Sequence, residues 1–341
     1  MKISQNNSQG HWFRKFGVIT IAAVFFLVLV GGIVRSTGAG LGCPDWPKCF
    51  GQWVPPTDVS QLPEDYKTIY AIQGKQIADF SAVHTWIEYV NRLVGVVIGF
   101  LILTTLILSK SYWKTDRVVV WLSFLAFILV GFNGWLGSVV VATNLKPVTI
   151  TLHMIMALMV VGTLIFAVAR SYKGVLDIPA FSDKKKLNLW LGICVGLSLL
   201  QLVFGTQVRE AIDHIAASYG GETRQLWVGE VGLYFYIHRT FSIIVLLGNV
   251  YLAKLFFSSV KGSQKVKMQM WSYVLVGLLG MEIMTGVIMA YFAIPAFLQP
   301  VHLLLSSLLF GLQFYMVLLV NYESVVKQNV ESERKAAKLH S

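Results

Sequence analysis

Eight runs of about twenty or more mostly apolar residues, near 16–34, 84–108, 118–142, 150–169, 187–208, 236–254, 270–293 and 300–321, constrain this chain more than any other feature. A bilayer core about 30 Å thick is crossed by a helix of about 20 residues. Water is absent there, so each segment must satisfy its own backbone N–H and C=O groups, and a helix does so. The alternative, two soluble domains in 341 residues, fails on charge. Only 13% of the residues are charged, against about a quarter in soluble domains. The first run is too long for a signal-peptide core and has no small-residue cleavage site, so it is read as the first helix. The expected class is an all-α integral membrane protein with eight transmembrane helices.

The net charge of +11 has an uneven distribution. Of the 28 Lys and Arg, 19 fall on one side of the spans. They include Arg14, Lys15, Lys110, Arg117, Arg170, the run Lys184 to Lys186, Lys265 and Lys267, with Lys2, Lys327, Arg334, Lys335 and Lys338 near the termini. By the positive-inside rule both termini are cytoplasmic. The basic charge thus orients the chain in lipid, and no nucleic-acid partner is expected. Cys194 lies in the fifth span and is read as packing. Cys43 and Cys49 share the first external loop, in Gly-Cys-Pro-Asp-Trp-Pro-Lys-Cys-Phe-Gly, where a close pair is free to oxidise; a disulfide is expected.

The two halves repeat one another. The third span ends in Gly-Ser-Val-Val-Val from Gly137, with His153 16 residues on; the seventh ends in Gly-Val-Ile-Met-Ala from Gly286, with His302 again 16 residues on. Gly31 to Arg35 closes the first span as Gly205 to Arg209 closes the fifth. Aligning Arg92 with Arg239 sets Asn91 opposite His238. Four helices per unit return each unit to the same side, so the repeat is parallel. The expected architecture is two four-helix bundles related by a pseudo-two-fold axis along the membrane normal. Residues 1–175 form the N-terminal unit and 176–341 the C-terminal unit, with the boundary in the Gly-, Pro- and Lys-containing connection at 170–186. About 50 residues of external loop follow the first span and under about 30 the fifth.

His153, His238 and His302 lie in otherwise apolar spans, where ionisable groups usually mark function. Packing is the bland alternative for any one of them. His238 and His302, at matching depth on two helices of one unit, suit the axial ligands of a haem in a four-helix bundle. Glu88 lies one turn from both His84 and Asn91, and its counterpart in the second unit is Phe235. It reads either as a partner for Arg92 or as a proton acceptor or charge stabiliser at a reacting group. Arg35, Arg92, Arg209 and Arg239 lie near the same level and are candidate partners for haem propionates, with interfacial snorkelling as the alternative. Glu282, opposite Asn133, reads as a polar clamp or part of a proton path. Trp46, Trp53, Trp86 and Trp227 read as an interfacial belt.

With these motifs the sequence resembles the haem A synthase family of bacteria and mitochondria. The likeness rests on Gly-Gly-Ile-Val-Arg-Ser-Thr-Gly, the cysteine loop, Trp-Ile-Glu-Tyr-Val-Asn-Arg, Gly-Trp-Leu-Gly-Ser-Val-Val-Val, Thr-Leu-His, Ile-His-Arg and Pro-Val-His, and runs from about residue 16 to 321. The resemblance implies an oxidoreductase of the bacterial inner membrane. It would oxidise a methyl group of haem O to the formyl group of haem A by two oxygenations and loss of water, for cytochrome oxidase biogenesis.

His238 and His302 would then hold a resident haem b. His153 would bind the iron of the substrate haem O, with Glu88 beside the methyl, and both sites would lie near the external face. Implied partners are a haem O synthase, the cytochrome oxidase assembly machinery, an electron donor or acceptor, membrane lipid and, as an open option, a second copy of the chain. Most members carry histidine where this chain has Asn91. His153 alone is therefore the favoured substrate ligand, and His84 the second choice. The rival readings are a bis-histidine haem b electron-transfer cytochrome, a haem carrier without catalysis and, third, a solute transporter.

Overall fold

The computed structural model describes residues 10–173, 180–219, 224–261 and 265–322. Eight of its helices are long and apolar enough to cross a membrane: α1 (His11–Ser36), α2 (Ala82–Ser109), α3 (Arg117–Ala142), α4 (Pro147–Ser171), α5 (Lys184–Tyr219), α6 (Leu233–Ser259), α7 (Lys265–Tyr291) and α8 (Leu298–Val320). Local chemistry sets several starts. Ser81 caps α2 by accepting from the backbone N–H of His84, and Asp116 caps α3 by accepting from that of Val118. Pro147 occupies the first turn of α4, where no N–H is needed. The terminal basic residues Lys2, Lys327, Arg334, Lys335 and Lys338, and 174–179 around the expected unit boundary, lie outside the described residues.

Helices α1 to α4 pack as a ring, each against the next and α4 back against α1; α5 to α8 do the same. Between the rings, α8 lies against α1 and α4. The close approach depends on small residues, as in membrane bundles generally. A Cβ on Gly32 would sit 2.8 Å from the Pro300 Cα, and one on Gly311 2.9 Å from the Phe25 ring. Each ring has its own buried core, around Ile98, Ile102, Val161 and Leu164 in the first and Leu191, Leu252, Leu275 and Met316 in the second.

The α3–α4 and α7–α8 hairpins share one backbone solution. Asn144 and Leu145 have φ of 54° and 59°, and Ala293 and Ile294 have φ of 55° and 50°. Leu145 N–H donates to the Val140 carbonyl and Ile294 N–H to that of Met289, closing helix ends that would otherwise leave carbonyls orphaned. Non-glycine residues in left-handed conformation are uncommon. Two in succession, nine and eight positions before His153 and again before His302, set the depth at which each histidine enters its ring.

Two expectations need correction. The fifth span does not end near 208: α5 runs 36 residues, about 54 Å, and the first part of the expected loop is its continuation. The segment 209–219 keeps an apolar face (Ile212, Ile215, Ala216) that packs with Trp227 of a short helix, Arg224–Glu230, with Val231 just after it, and with Ile294. Trp227 is consequently buried in that cap rather than placed in an interfacial belt. The first long loop folds on itself. Phe50 makes edge contacts with Tyr66, Tyr70 and Phe80, and Cys43 and Cys49 are joined and fully buried beneath them.

Candidate functional site

Four polar side chains occupy equivalent seats at the loop end of the helices. Each faces a glycine on the preceding helix, where the missing side chain makes room. A Cβ on Gly137 would lie 3.4 Å from His153 Cε1, one on Gly205 3.3 Å from His238 Cε1 and one on Gly286 3.4 Å from His302 Cε1. Gly31 faces Asn91, with 3.9 Å to Oδ1. Each imidazole also lies against the backbone carbonyl four residues before its glycine, at Asn133, Gln201 and Glu282.

The seats differ in their polar surroundings. His302 is the most engaged: Nδ1 is 2.8 Å from Thr285 Oγ1, and Nε2 is 3.4 Å from Glu282 Oε1. Gln201 donates to the His238 carbonyl at 3.1 Å, and its Nε2 is 3.5 Å from the His238 Nε2. Nδ1 of His153, Nδ1 of His238 and Oδ1 of Asn91 are buried without a hydrogen-bond partner, as are Asn133 Oδ1, Gln201 Oε1 and Glu282 Oε2. Buried polar atoms are usually satisfied, so this concentration at one level marks a place built for something more than packing. His238 and His302 are near enough to interact electrostatically. Among the described residues no three His, Cys, Asp or Glu side chains converge to hold a metal ion directly.

Glu88 is 4% exposed and enclosed by the disulfide loop. Its Oε2 accepts from Cys43 N–H at 2.9 Å, and its Oε1 lies 2.5 Å from Arg92 Nη2. Arg92 donates further to the carbonyls of Cys43 (2.8 Å), Asp45 (2.6 Å) and Lys48 (2.9 Å). Four of the five guanidinium N–H groups are taken up by the protein, which leaves a propionate only Nε–H at Arg92. At the matching place in the second ring, Arg239 stacks on Phe235 and Tyr236 at 5.5 and 5.1 Å. His84 is exposed at the start of α2, so the helical face it was expected to share with Glu88 turns outward there.

Arg35 and Arg209 both pair with Asp213, Arg209 at 2.7 Å; Arg209 also bonds Gln299 and, at 2.9 Å, the Arg35 carbonyl. This knot joins α1, α5 and α8. Asp213 lies in a stretch, 209–219, whose polar residues resemble a loop; the i, i+4 spacing from Arg209 and the recurrence of Ile212, Ile215 and Ala216 are the signals of helix there. Gln201 and Thr285 also belong to the site and stand outside the sequence motifs. Gln201 stands four residues before Gly205, as Glu282 stands four before Gly286, and that spacing was readable.

Fold and site together define a multi-pass helical membrane protein with imidazoles seated inside two four-helix rings at the end that carries a disulfide loop. The chain belongs to the COX15-CtaA family, described as cytochrome oxidase assembly protein, whose pattern matches residues 14–314. It is similar to a protein named heme A synthase from Alkalihalophilus pseudofirmus, 24% identical over 316 residues, covering 91% of this chain and 97% of that one. A heme A synthase of Brucella ovis is 23% identical over 337 residues, covering 88% and 89%. That of Shewanella oneidensis is 28% identical over 153 residues, covering 45% and 44%.

Proposed function

We propose that this protein is a haem A synthase that holds haem b in residues 176–341 and oxidises a methyl group of haem O in residues 1–175. One observation carries the reading. His238 and His302 share equivalent glycine seats in one ring, whereas the other ring has His153 with Asn91 and, one turn away, the buried acid Glu88. Two rings with matched seats and unmatched chemistry suit one resident and one reacting haem. The family and the names of the relatives supply the reaction.

The residues present fit haem. Three largely buried imidazoles at matching seats in an apolar bundle suit a flat, apolar group whose iron takes nitrogen ligands. When bound, haem iron supplies the oxidising chemistry. The chain places and balances it. In the second unit His238 and His302 would hold the iron; Thr285 fixes Nδ1 of His302, and the His302 Nε2, which lies 3.4 Å from Glu282 Oε1, would be the donor. In the first, His153 would be the protein ligand, because Asn91 at the matching seat is a poor iron donor.

Both Glu88 oxygens accept N–H groups, an arrangement that suits an ionised, acceptor-only carboxylate. Its role is therefore a fixed negative charge that stabilises positive charge developing at the reacting edge, and less a base that must swing to collect a proton. Arg35 and Arg209 share a single carboxylate and keep net positive charge. Together with Arg239 they remain the candidates for propionates.

The basic loops orient both termini to the cytoplasm of a bacterial cell with the haem sites near the external face. A haem O synthase would deliver substrate, and the oxidase assembly machinery would take the product. The test is mass analysis of haem extracted after expression with a haem O synthase in a host lacking haem A. Haem A or its hydroxylated precursor supports the reading. Haem b with unchanged haem O, where a relative succeeds in the same host, would reduce the protein to a cytochrome or carrier.

A further inference from the structure

The ring closed by Cys43–Cys49 does more than brace the first loop. Its carbonyls at Cys43, Asp45 and Lys48 surround one guanidinium, that of Arg92, at 2.6 to 2.9 Å. The same guanidinium binds Glu88 Oε1, and the ring's own Cys43 N–H binds Glu88 Oε2. Ring, arginine and acid therefore form one closed circuit of charge-assisted hydrogen bonds. Two further features hold the ring against α2. Thr85 Oγ1 donates to the Gly42 carbonyl at 2.9 Å, and Gly42 lies so close to α2 that a Cβ there would be 2.5 Å from the His84 carbonyl oxygen. Within the ring Asp45 accepts from the N–H groups of Phe50 and Gly51, turning its own backbone carbonyl toward Arg92.

We propose that Arg92 is a positioning residue that couples the disulfide ring to Glu88, so that the closed ring holds the carboxylate in place and Arg92 in turn keeps the ring shut over the buried disulfide. Arginine suits the task because its planar fork presents donors in several fixed directions, whereas lysine offers a single rotating ammonium. Ring opening would withdraw three acceptors from Arg92 and one donor from Glu88 together. In the second unit Arg239 stacks on Phe235 and Tyr236, and among the described residues no disulfide joins that unit, so the coupling belongs to the first site.

The inference rests on the proposed role of Glu88 for its activity arm only; its other arm needs no haem. In that arm, membranes carrying the full chain are treated with a membrane-impermeant phosphine. It cleaves the S–S bond to two thiols with two electrons and two protons, and is itself oxidised to the phosphine oxide. The thiols are then counted by alkylation. Both sulfurs are fully buried in the native protein, so reduction reports ring opening. Arg92→Gln should be reduced about tenfold faster than wild type, and Arg92→Lys at an intermediate rate. Equal rates for Arg92→Gln and wild type would overturn the coupling.

In the activity arm, Arg92→Gln should lose haem A while keeping the haem b spectrum, Arg92→Lys should restore part of it, and Glu88→Gln/Arg92→Gln should be no worse than Glu88→Gln. Losses that multiply in the double variant, or full conversion by Arg92→Gln, would overturn the positioning role. If wild type itself makes no haem A, the functional reading fails and the reduction rates still decide the coupling. The haem b spectrum identifies a variant that has merely failed to fold.

Discussion

The two rings of four helices are built to the same spacing and filled differently. Eleven residues beyond His238 and His302 stand Asn249 and Gln313, both fully buried; Gln313 Nε2 bonds Asn249 Oδ1 at 2.7 Å and Ser198 Oγ at 3.0 Å. Eleven residues beyond Asn91 and His153 stand Ile102 and Leu164, also fully buried and wholly apolar. At the loop end the contrast reverses. The first ring pairs Glu88 with Arg92 under a disulfide loop, while the second stacks Arg239 on Phe235 beneath the extended end of α5. The second ring thus carries its polar cross-links deep and an apolar cap, as suits a permanently held group. The first is apolar at those two positions, with the Thr20–Thr105 hydroxyl pair at 2.9 Å elsewhere in its core, and has an acid at its mouth, as suits a site where something reacts. The glycine seats match and the chemistry around them does not.

The sharpest way to break this comparison is Glu88→Gln. It should lower haem A formation at least about a hundredfold with the haem b spectrum unchanged, and normal output would remove Glu88 from the reaction. The glycine seats come next. Gly205→Val or Gly286→Val would push a side chain into an imidazole that already lies 3.3 or 3.4 Å from a Cβ position, and most of the haem b absorbance should disappear. Gly31→Val, opposite Asn91, should leave haem b in place, so loss of haem b there would show that the halves are not independent.

Gly32→Ala probes the junction instead. Its Cβ would meet backbone at Pro300, so a cost of about 1–3 kcal/mol is expected in unfolding of the detergent-solubilised protein. Gly99→Ala, with open space beside it, is the control. The smallest effect expected is that of Asn249→Leu. It removes one bond from Gln313 and should cost about 1 kcal/mol, measured in the same unfolding assay.

Much of this was legible along the chain. Spans, the unit repeat spacing and the three histidines could be read because a bilayer punishes every polar exception, so the exceptions stand out. The end of α5 was not legible. Once a helix leaves the membrane its residues become polar, and 209–219 looks like loop until Ile212 meets Trp227 and Ile294. The partners of the arginines were also hidden. Interfacial snorkelling, propionate binding and ion pairing all ask for the same residue at the same depth, and only contacts with Asp213 or with the carbonyls of the 43–49 ring separate them. Gln201 and Asn133 stand one turn before a glycine in the sequence, but that this glycine faces a histidine on another helix is decided by packing.

What the sequence by itself determined is therefore one-dimensional. It defines how many times the chain crosses, which residues are too costly to lie in lipid without a purpose, and which cysteines are close enough to join. Those follow from solvation and chain spacing, which act residue by residue. Tertiary structure alone decided which buried group answers which. Arg92 faces the disulfide ring and Glu88, Arg35 and Arg209 meet on one Asp213, and each imidazole rests on a glycine of the preceding helix. Hydrogen bonds and ion pairs are short-ranged and directional, so their partners are chosen only when packing has brought distant helices to within a few ångströms.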